Sequence, residues 1–292
     1  MEGDEEDELN LDVNDRVDGS YSQLIDFSTR VFESLISLQS IESLLADCKL
    51  TVRDELDSSF WIGSQDEPRC GLEALAQDIF KMHTRDVEQV ENGGAEWWVQ
   101  MRSPERATIP FHFDKDETLA AITGDVYVSP VLSTVTYLTS GGAPTCILGY
   151  RYSHSMGKVI DADRSSIMSF PSPGKHVVFD GRLLHGAPEE FTRDDSLCPR
   201  LTFLVNVWIN HRPYEIDSLP FDICGLMMYK KQASLQEGEQ GKISKVFLDN
   251  DECAWKNFHM KGENGMNELN IPFDLTSQQS TIALLGAAPE LS

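Results

Sequence analysis

The clearest structural signal in this chain is PRLTFLVNVWI, residues 199–209. Its odd-numbered positions beyond the proline are all apolar, whereas the even-numbered positions include Arg200, Thr202 and Asn206. Alternation with a period of two is typical of a β-strand, because successive side chains point to opposite faces of a sheet. One face of this strand therefore belongs in a core, and the other is expected to face a cavity that uses its polar groups.

Seven further short runs rich in Val, Ile, Thr and aromatic residues precede this strand. Turn sequences separate them, such as SGG at 140–142, SPG at 172–174 and DG at 180–181. Short strands at this spacing, with helices mostly ahead of them, predict a mainly β fold with flanking helices, of the α+β class. The expected architecture is a jelly-roll barrel with an N-terminal helical layer against one sheet. The seven runs are residues 97–102, 108–114, 132–138, 145–150, 167–170, 176–179 and 182–185.

Helical periodicity dominates the part of the chain ahead of these runs. Apolar residues recur every three or four positions from Leu24 to Leu45, which predicts an amphipathic helix beginning near residue 21. A second helical pattern runs from about Glu73 to Val90. The two patterns together predict the helical layer.

The organisation along the chain follows from these patterns. A charged lead with almost no apolar residues, 1–19, is expected to be a disordered acidic segment. We expect one domain over 20–292. It comprises a helical layer at about 21–91, a barrel core at about 95–210 and a C-terminal extension at 211–292, whose mixed pattern predicts no definite element.

Composition narrows the classes of partner. The 292 residues include 24 Lys+Arg and 48 Asp+Glu, for a formal net charge of −24. That excess repels phosphate groups, so nucleic-acid and anionic-membrane partners are not expected. The six cysteines are scattered without a CxxC pair, and the N-terminus lacks the pattern of a secretory signal. We therefore expect free thiols and an intracellular, cytoplasmic protein.

Three side chains at strand positions form a candidate metal site. His112 and Asp114 are two residues apart, so a strand points both toward one face. His185 ends a later apolar run after a glycine turn, where a returning strand can lie beside the first. Two imidazoles and one carboxylate on one face of an ion are the ligand set of non-haem Fe(II) oxygenases.

The polar face of the strand at 199–209 adds a candidate anion site. Burying Arg200 is costly unless the guanidinium is paired, and a ligand carboxylate is a natural partner for its planar fork. Thr202 lies on the same face and offers a hydroxyl hydrogen bond. Tyr137 is a further candidate for a hydroxyl contact, although a core tyrosine would give the same pattern.

The pattern HxD…H…RxT resembles that of the Fe(II)/2-oxoglutarate-dependent dioxygenase superfamily over most of the predicted barrel core. The resemblance implies a double-stranded β-helix barrel of the jelly-roll, cupin-like type. It also implies catalytic Fe(II) on His112, Asp114 and His185, with the far carboxylate of 2-oxoglutarate on Arg200 and Thr202. Such an enzyme consumes O2, releases succinate and CO2 and, by default, hydroxylates its substrate.

A substrate surface is predicted beside this site. Trp98, Gln100 and Arg102 share one face of the run at 97–102, and we expect that face to line the mouth of the site. Gln100 and Arg102 are the expected substrate contacts. The substrate class is a small molecule or an amino-acid side chain.

Two other classes of protein remain open on the residues alone. A jelly-roll binding protein would use these His and Arg residues structurally or hold an inert ion, with the helices and the acidic segment serving a partner. A cupin-type metalloenzyme would use a metal on the same barrel without 2-oxoglutarate. Substitution of Arg200 separates the second of these from the oxygenase, and metal analysis of an Asp114 variant separates the first.

Overall fold

The computed structural model describes most of the chain. The described residues are 11–12, 15–17, 19–52, 59–87, 90, 92–103, 108–124, 126–193, 198–228, 235–236, 240–247, 254–262, 265–273, 278–285 and 289–291. Their helices are α1 (Leu38–Thr51), α2 (Gly71–Thr84), α3 (Glu117–Thr123) and α4 (Phe221–Leu226), with 3-10 turns at Gly19–Gln23 and Glu189–Phe191. None of these helices combines the length and hydropathy needed to cross a membrane.

The strands form two six-stranded sheets and one three-stranded sheet. The first sheet has the order β1 (Arg30–Phe32), β8 (His176–Asp180), β5 (Leu132–Tyr137), β10 (Arg200–Trp208), β3 (Gly94–Arg102) and β2 (Phe60–Gly63). The second has the order β11 (Ser244–Phe247), β14 (Thr281–Leu285), β7 (Lys158–Ser169), β6 (Thr145–Ser153), β9 (Leu183–Ala187) and β4 (Ile109–His112). The third joins β12 (Ala254–Gly262), β13 (Gly265–Phe273) and β15 (Glu290–Leu291).

The prediction of a mainly β fold is confirmed, and the described helices are few. Each of the eight runs predicted as strands overlaps a strand of the two large sheets. In the described residues these sheets hydrogen-bond as two open sheets and do not close on one another. The sequence alternation of β10 also has its expected meaning, because Leu201, Phe203, Val205 and Val207 pack together on one face.

Three apolar clusters stack the elements into layers. The first joins α1 and α2 to the outer face of the first sheet through residues such as Leu44, Leu75 and Phe203. The second lies between the two large sheets and includes Tyr137 and Ile147. The third packs the outer face of the second sheet against β13. The space between the two large sheets is therefore lined by the polar face of β10.

The prediction of a helix from near residue 21 is wrong for the first half of that stretch. That stretch forms a 3-10 turn and β1 before α1 begins at Leu38, capped by the Ser37 hydroxyl, which accepts from the Ser40 amide at 3.1 Å. Asp26 interrupts the helical pattern, because its carboxylate accepts the amide and hydroxyl of Ser28 and stabilises a local turn. The second pattern becomes α2, which ends at Thr84.

The sequence patterns predicted least about the two ends of the chain. Residues 1–10, most of the segment predicted to be disordered, lie outside the described residues. Further along that segment, Arg16 is buried and pairs with Asp180 at 2.9 Å. The extension at 211–292, which predicted no definite element, supplies β11 to β15 and covers the second sheet.

Candidate metal and anion site

Strand pairing brings the two predicted histidine ligands together. His112 ends β4 at the edge of the second sheet and lies directly opposite His185 of β9, with ring centroids 4.4 Å apart. Asp114 follows β4 by two residues. Its carboxylate oxygens lie 3.6 Å from His112 Nε2 and 3.5 Å from His185 Nε2. One ligand atom from each residue lies within 4.8 Å of the others, a grouping that can hold a metal ion.

Backbone carbonyls orient both imidazoles in the same way. His112 Nδ1 is 2.8 Å from the Pro110 carbonyl oxygen, and His185 Nδ1 is 2.9 Å from that of Leu183. A carbonyl only accepts, so each Nδ1 donates its proton and each neutral ring keeps a lone pair on Nε2. Those lone pairs face Asp114. Metal-binding histidines in proteins are oriented by the same kind of hydrogen bond.

The electrostatics of this cluster favour a bound cation. Burial alone would raise the pKa of Asp114, but His185, His112 and a 2.7 Å hydrogen bond from the Ser133 hydroxyl outweigh it. They hold that pKa well below its usual range, so the carboxylate is ionised. Burial lowers the pKa of His185 and so favours its neutral ring, whereas at His112 the Asp114 carboxylate outweighs burial and raises the pKa. The donor set therefore fits a divalent transition metal such as Fe(II).

Arg200 forms the second part of the site, between the two large sheets. Its guanidinium reaches the start of β6 in the second sheet. Nε donates to the carbonyl of Ala143, in the loop before β6, at 3.1 Å, and Nη2 donates to the Thr145 hydroxyl at 2.9 Å. On the first sheet, Nη1 is 3.3 Å from the Thr202 hydroxyl and 3.5 Å from Gln100 Oε1. The side chain is nearly inaccessible, at 3% exposed.

All these partners of Arg200 are neutral oxygens. Among the residues that the structure describes, none places a carboxylate in an ion pair with this guanidinium. Burial lowers the pKa of Arg200, which is the physical sign that its charge is poorly compensated. A buried cation of this kind is costly unless an anion joins it. An anionic group placed in this pocket would compensate the charge of Arg200.

Tyr137 contacts this pocket indirectly. Its hydroxyl donates to the Ser169 carbonyl at 2.7 Å and lies 2.7 Å from the Thr145 hydroxyl, which in turn accepts from Arg200. The ring centroid lies 5.5 Å from the Arg200 guanidinium carbon. Tyr137 thus supports the pocket through Thr145, and its predicted contact with an oxoacid stays a prediction.

The three predicted substrate residues lie on the expected face of β3, in different surroundings. Gln100 is buried beside Arg200 and opposite Thr202, so it belongs to the guanidinium pocket. Arg102 is half-buried and lies opposite Arg200 across the strand pair. Trp98 is half-buried at the middle of the face. Their contacts with substrate stay predictions.

Several residues of the site carried no sequence signal. Ser133 contacts Asp114 because β5, a strand of the first sheet, lies beside the metal cluster, that is, His112, Asp114 and His185. Asp116 belongs to a run of charged residues, 115–117, yet it is 1% exposed. It caps α3 by accepting the Leu119 amide and also binds His211 and the Tyr214 amide. This contact anchors the segment that follows Asp114.

Comparison with known proteins gives structural neighbours only. No family model and no curated protein matches the chain. A Pseudomonas putida prolyl-4-hydroxylase matches at 16% identity over 66% of this chain and 91% of that chain, with a TM-score of 0.39. The non-heme alpha ketoglutarate dependent carbocyclase SnoK from nogalamycin biosynthesis matches at 12% identity over 72% and 89%, with a TM-score of 0.41.

A third solved structure, EvdO2 from Micromonospora carbonacea var. aurantiaca complexed with 2-oxoglutarate, matches at 15% identity over 75% of this chain and 98% of that chain, with a TM-score of 0.39. These neighbours are Fe(II)/2-oxoglutarate-dependent oxygenases, the kind of protein that the sequence pattern resembles. At TM-scores below 0.5, this likeness assigns neither activity nor substrate.

Proposed function

We propose that this protein is an Fe(II)- and 2-oxoglutarate-dependent oxygenase on a double-stranded β-helix, which hydroxylates a small molecule or an amino-acid side chain. One observation carries the proposal. The buried guanidinium of Arg200, with only neutral partners, faces the same space between the sheets as the cluster of His112, Asp114 and His185. A metal site and a carboxylate receptor in one cavity together fit a metal-chelating dicarboxylate.

The face of β5 and β10 that runs from Arg200 to the cluster of His112, Asp114 and His185 also supports a dicarboxylate ligand. Thr202 and Tyr137 lie opposite one another at the Arg200 end of the cavity, and Ser133 lies at the metal end. Between these rows, Val135 and Leu204 lie opposite one another and present apolar side chains. The order polar, apolar, polar matches a dicarboxylic oxoacid, whose two polar ends are separated by methylene groups.

In this proposal, residues of the chain bind the metal and orient the oxoacid. In the proposed reaction, the two histidines and Asp114 hold Fe(II), and Arg200 receives the distal carboxylate of 2-oxoglutarate through its fork of N–H donors. Thr202 supplies a hydroxyl to the same carboxylate. Bound Fe(II) supplies the oxidation of a substrate C–H bond by O2 as 2-oxoglutarate is converted into succinate and CO2. The apolar wall excludes water from the methylene groups.

Anaerobic titration tests the proposal. Adding Fe(II) and then 2-oxoglutarate to the wild-type protein is expected to produce the visible charge-transfer absorption of the chelate. Arg200→Ala is expected to weaken 2-oxoglutarate binding about 10- to 100-fold, because hydrogen bonds from a charged donor are lost. Iron affinity should be unchanged in that variant. Arg85→Ala, which removes a largely exposed guanidinium, is the matched control and should titrate like the wild type.

Two outcomes contradict the proposal in different ways. Unchanged 2-oxoglutarate binding by Arg200→Ala would indicate a metalloenzyme that does not use the oxoacid. Full iron affinity in Asp114→Ala would indicate that the cluster is not the metal site and would favour a binding protein.

A further inference from the structure

Glu96 is a carboxylate that faces the cavity between the sheets. It lies on β3, which has β10 on one side and β2 on the other. Its neighbours Ala95 and Trp97 are 0% exposed in the core beneath the helices, whereas Glu96 keeps partial exposure. Strands pair with both edges of β3 at this position and helices pack on its opposite face, so Glu96 lies on the face directed toward the second sheet.

Three neutral donors hold this carboxylate in place. The Ser59 hydroxyl donates to Oε1 at 2.7 Å, and the Trp208 indole N–H donates to Oε2 at 3.0 Å. The Asn206 amide lies 3.4 Å from Oε2. No Lys or Arg among the described residues forms an ion pair with Glu96. The carboxylate is thus oriented without a cationic partner.

Glu96 lies close to the metal cluster. Asn206 is opposite Glu96 on one side and opposite Ser133 on the other, and Ser133 donates to Asp114. Burial raises the pKa of Glu96, and the charge of Asp114 adds to that rise. A metal ion would compensate Asp114, so Glu96 is the acidic group left for another ligand in the same cavity.

The surface next to Glu96 is aromatic and aliphatic. Trp98, two residues further along the same face of β3, lies opposite Leu204 of β10. Leu204 is the one residue of β10 that is not buried, although this strand is central in its sheet. Leu204 and Trp98 lie on the face of the first sheet that is directed toward the second sheet. An indole beside a carboxylate suits a cation, because the ring face attracts positive charge.

We propose that Glu96 determines substrate specificity by binding an ammonium or guanidinium group at the end of an aliphatic chain. The aliphatic stem packs on Trp98 and Leu204. This assignment rests on the proposed function of the site and names its substrate class. The acidic surface of the chain, with a net charge of −24, favours the approach of such cations.

Paramagnetic relaxation tests the assignment without turnover. Mn(II) replaces Fe(II) in the presence of 2-oxoglutarate, and the proton relaxation of n-butylguanidinium, n-butylammonium and neutral 1-butanol is compared. In the wild-type protein, a cationic probe is expected to bind at least about tenfold more tightly than butanol. Glu96→Gln should abolish that difference, while Glu42→Gln, which removes an exposed acid on α1, should preserve it.

The outcomes separate this assignment from the proposed function. A normal Fe(II)/2-oxoglutarate chelate band with no preference for cations in the wild type overturns the assignment alone. An unchanged preference in Glu96→Gln does the same. Loss of the chelate band in the wild type counts against the proposed function. A blocked tripeptide with central arginine, run beside butylguanidinium, distinguishes a peptide side chain from a free small molecule, and tighter binding of either supports the assignment.

Discussion

Ser133 fixes the carboxylate of Asp114 against the middle of the first sheet. Ser133 is buried, and its hydroxyl donates to Asp114 Oδ2 at 2.7 Å. Ser133→Ala removes this hydrogen bond and lets the ligand rotate, so we expect metal affinity to fall about 10- to 100-fold. Competition with a metal indicator measures the change.

A second buried strand serine provides the control for that prediction. Ser166 of β7 has a buried hydroxyl without a hydrogen-bond partner among the described residues. Ser166→Ala is expected to bind metal like the wild type. Equal losses in the two variants would show that the effect is general to the fold and that Ser133 does not orient Asp114.

At the residue scale, the sequence could indicate side chains whose chemistry repeats at strand spacing. His112 with Asp114, and Arg200 with Thr202, are pairs of this kind, because a period of two places both members on one face. Ser133 and Glu96 could not be found in this way. Their importance depends on which distant strands become neighbours, and no local pattern encodes that register.

At the element scale, β10 was predictable and the first helix was not. The alternation of β10 follows from a strand with a core on one side and a cavity on the other. The spacing of apolar residues from Leu24 to Leu45 fits a helix as well as the alternation of β10 fits a strand. The first half of this stretch is nevertheless not helical, because Val31 pairs with Val177 of β8 and is fully buried there.

The loop before β6 is the element that places Arg200. Gly142 adopts a φ of +87°, and a Cβ at this position would lie 2.5 Å from the Cβ of Arg200. Gly142→Ala therefore introduces both backbone strain and a clash with the guanidinium stem. We expect a loss of about 1–2 kcal/mol in unfolding free energy from the backbone alone. On the proposed function, we also expect about tenfold weaker 2-oxoglutarate binding, because the displaced guanidinium would lose hydrogen bonds to the oxoacid. Denaturant unfolding and the anaerobic titration measure the two effects.

Gly157 isolates the backbone contribution. It also has a positive φ, +61°, but a Cβ there would meet nothing within 4 Å. Gly157→Ala should lose stability by a similar backbone amount and bind 2-oxoglutarate normally. Weakened oxoacid binding in Gly157→Ala would contradict the role given to the loop at Gly142.

At the scale of the whole molecule, a pair of buried histidines joins the helical face to the first sheet. His83 of α2 lies 3.0 Å from His176 of β8 through their Nε2 atoms, and His176 Nδ1 lies 2.7 Å from the Thr136 hydroxyl. Burial lowers the pKa of His176 to about 3 and holds that of His83 well below its ordinary value. Both rings are therefore neutral in the folded protein.

This pair makes the stability of the molecule depend on pH. The unfolded chain binds protons on both histidines below about pH 6.5, while the folded protein does not. The free energy of unfolding therefore has its full value above that pH. It falls as the pH decreases toward 3, by up to ~1.4 kcal/mol per pH unit for each ring. Urea unfolding at pH 7.0 and 5.5 should show a smaller pH dependence in His83→Gln than in the wild type. His259→Gln, at an exposed ring, should keep the wild-type dependence. The same slope in all three proteins would refute this account.

The position of β5 has a consequence for the proposed co-substrate. Ser133 near one end of this strand touches the metal cluster, and Tyr137 at the other supports the guanidinium pocket. Three residues lie between them, so the two positions are four steps of extended backbone apart, about 13 Å at the rise of a β-strand. The strand therefore fixes the distance between the two ends of the site. Substitutions at either end change the side chains there, but the distance itself changes only by whole residues. Each one-residue shift would move every side chain of β5 to the opposite face of the sheet.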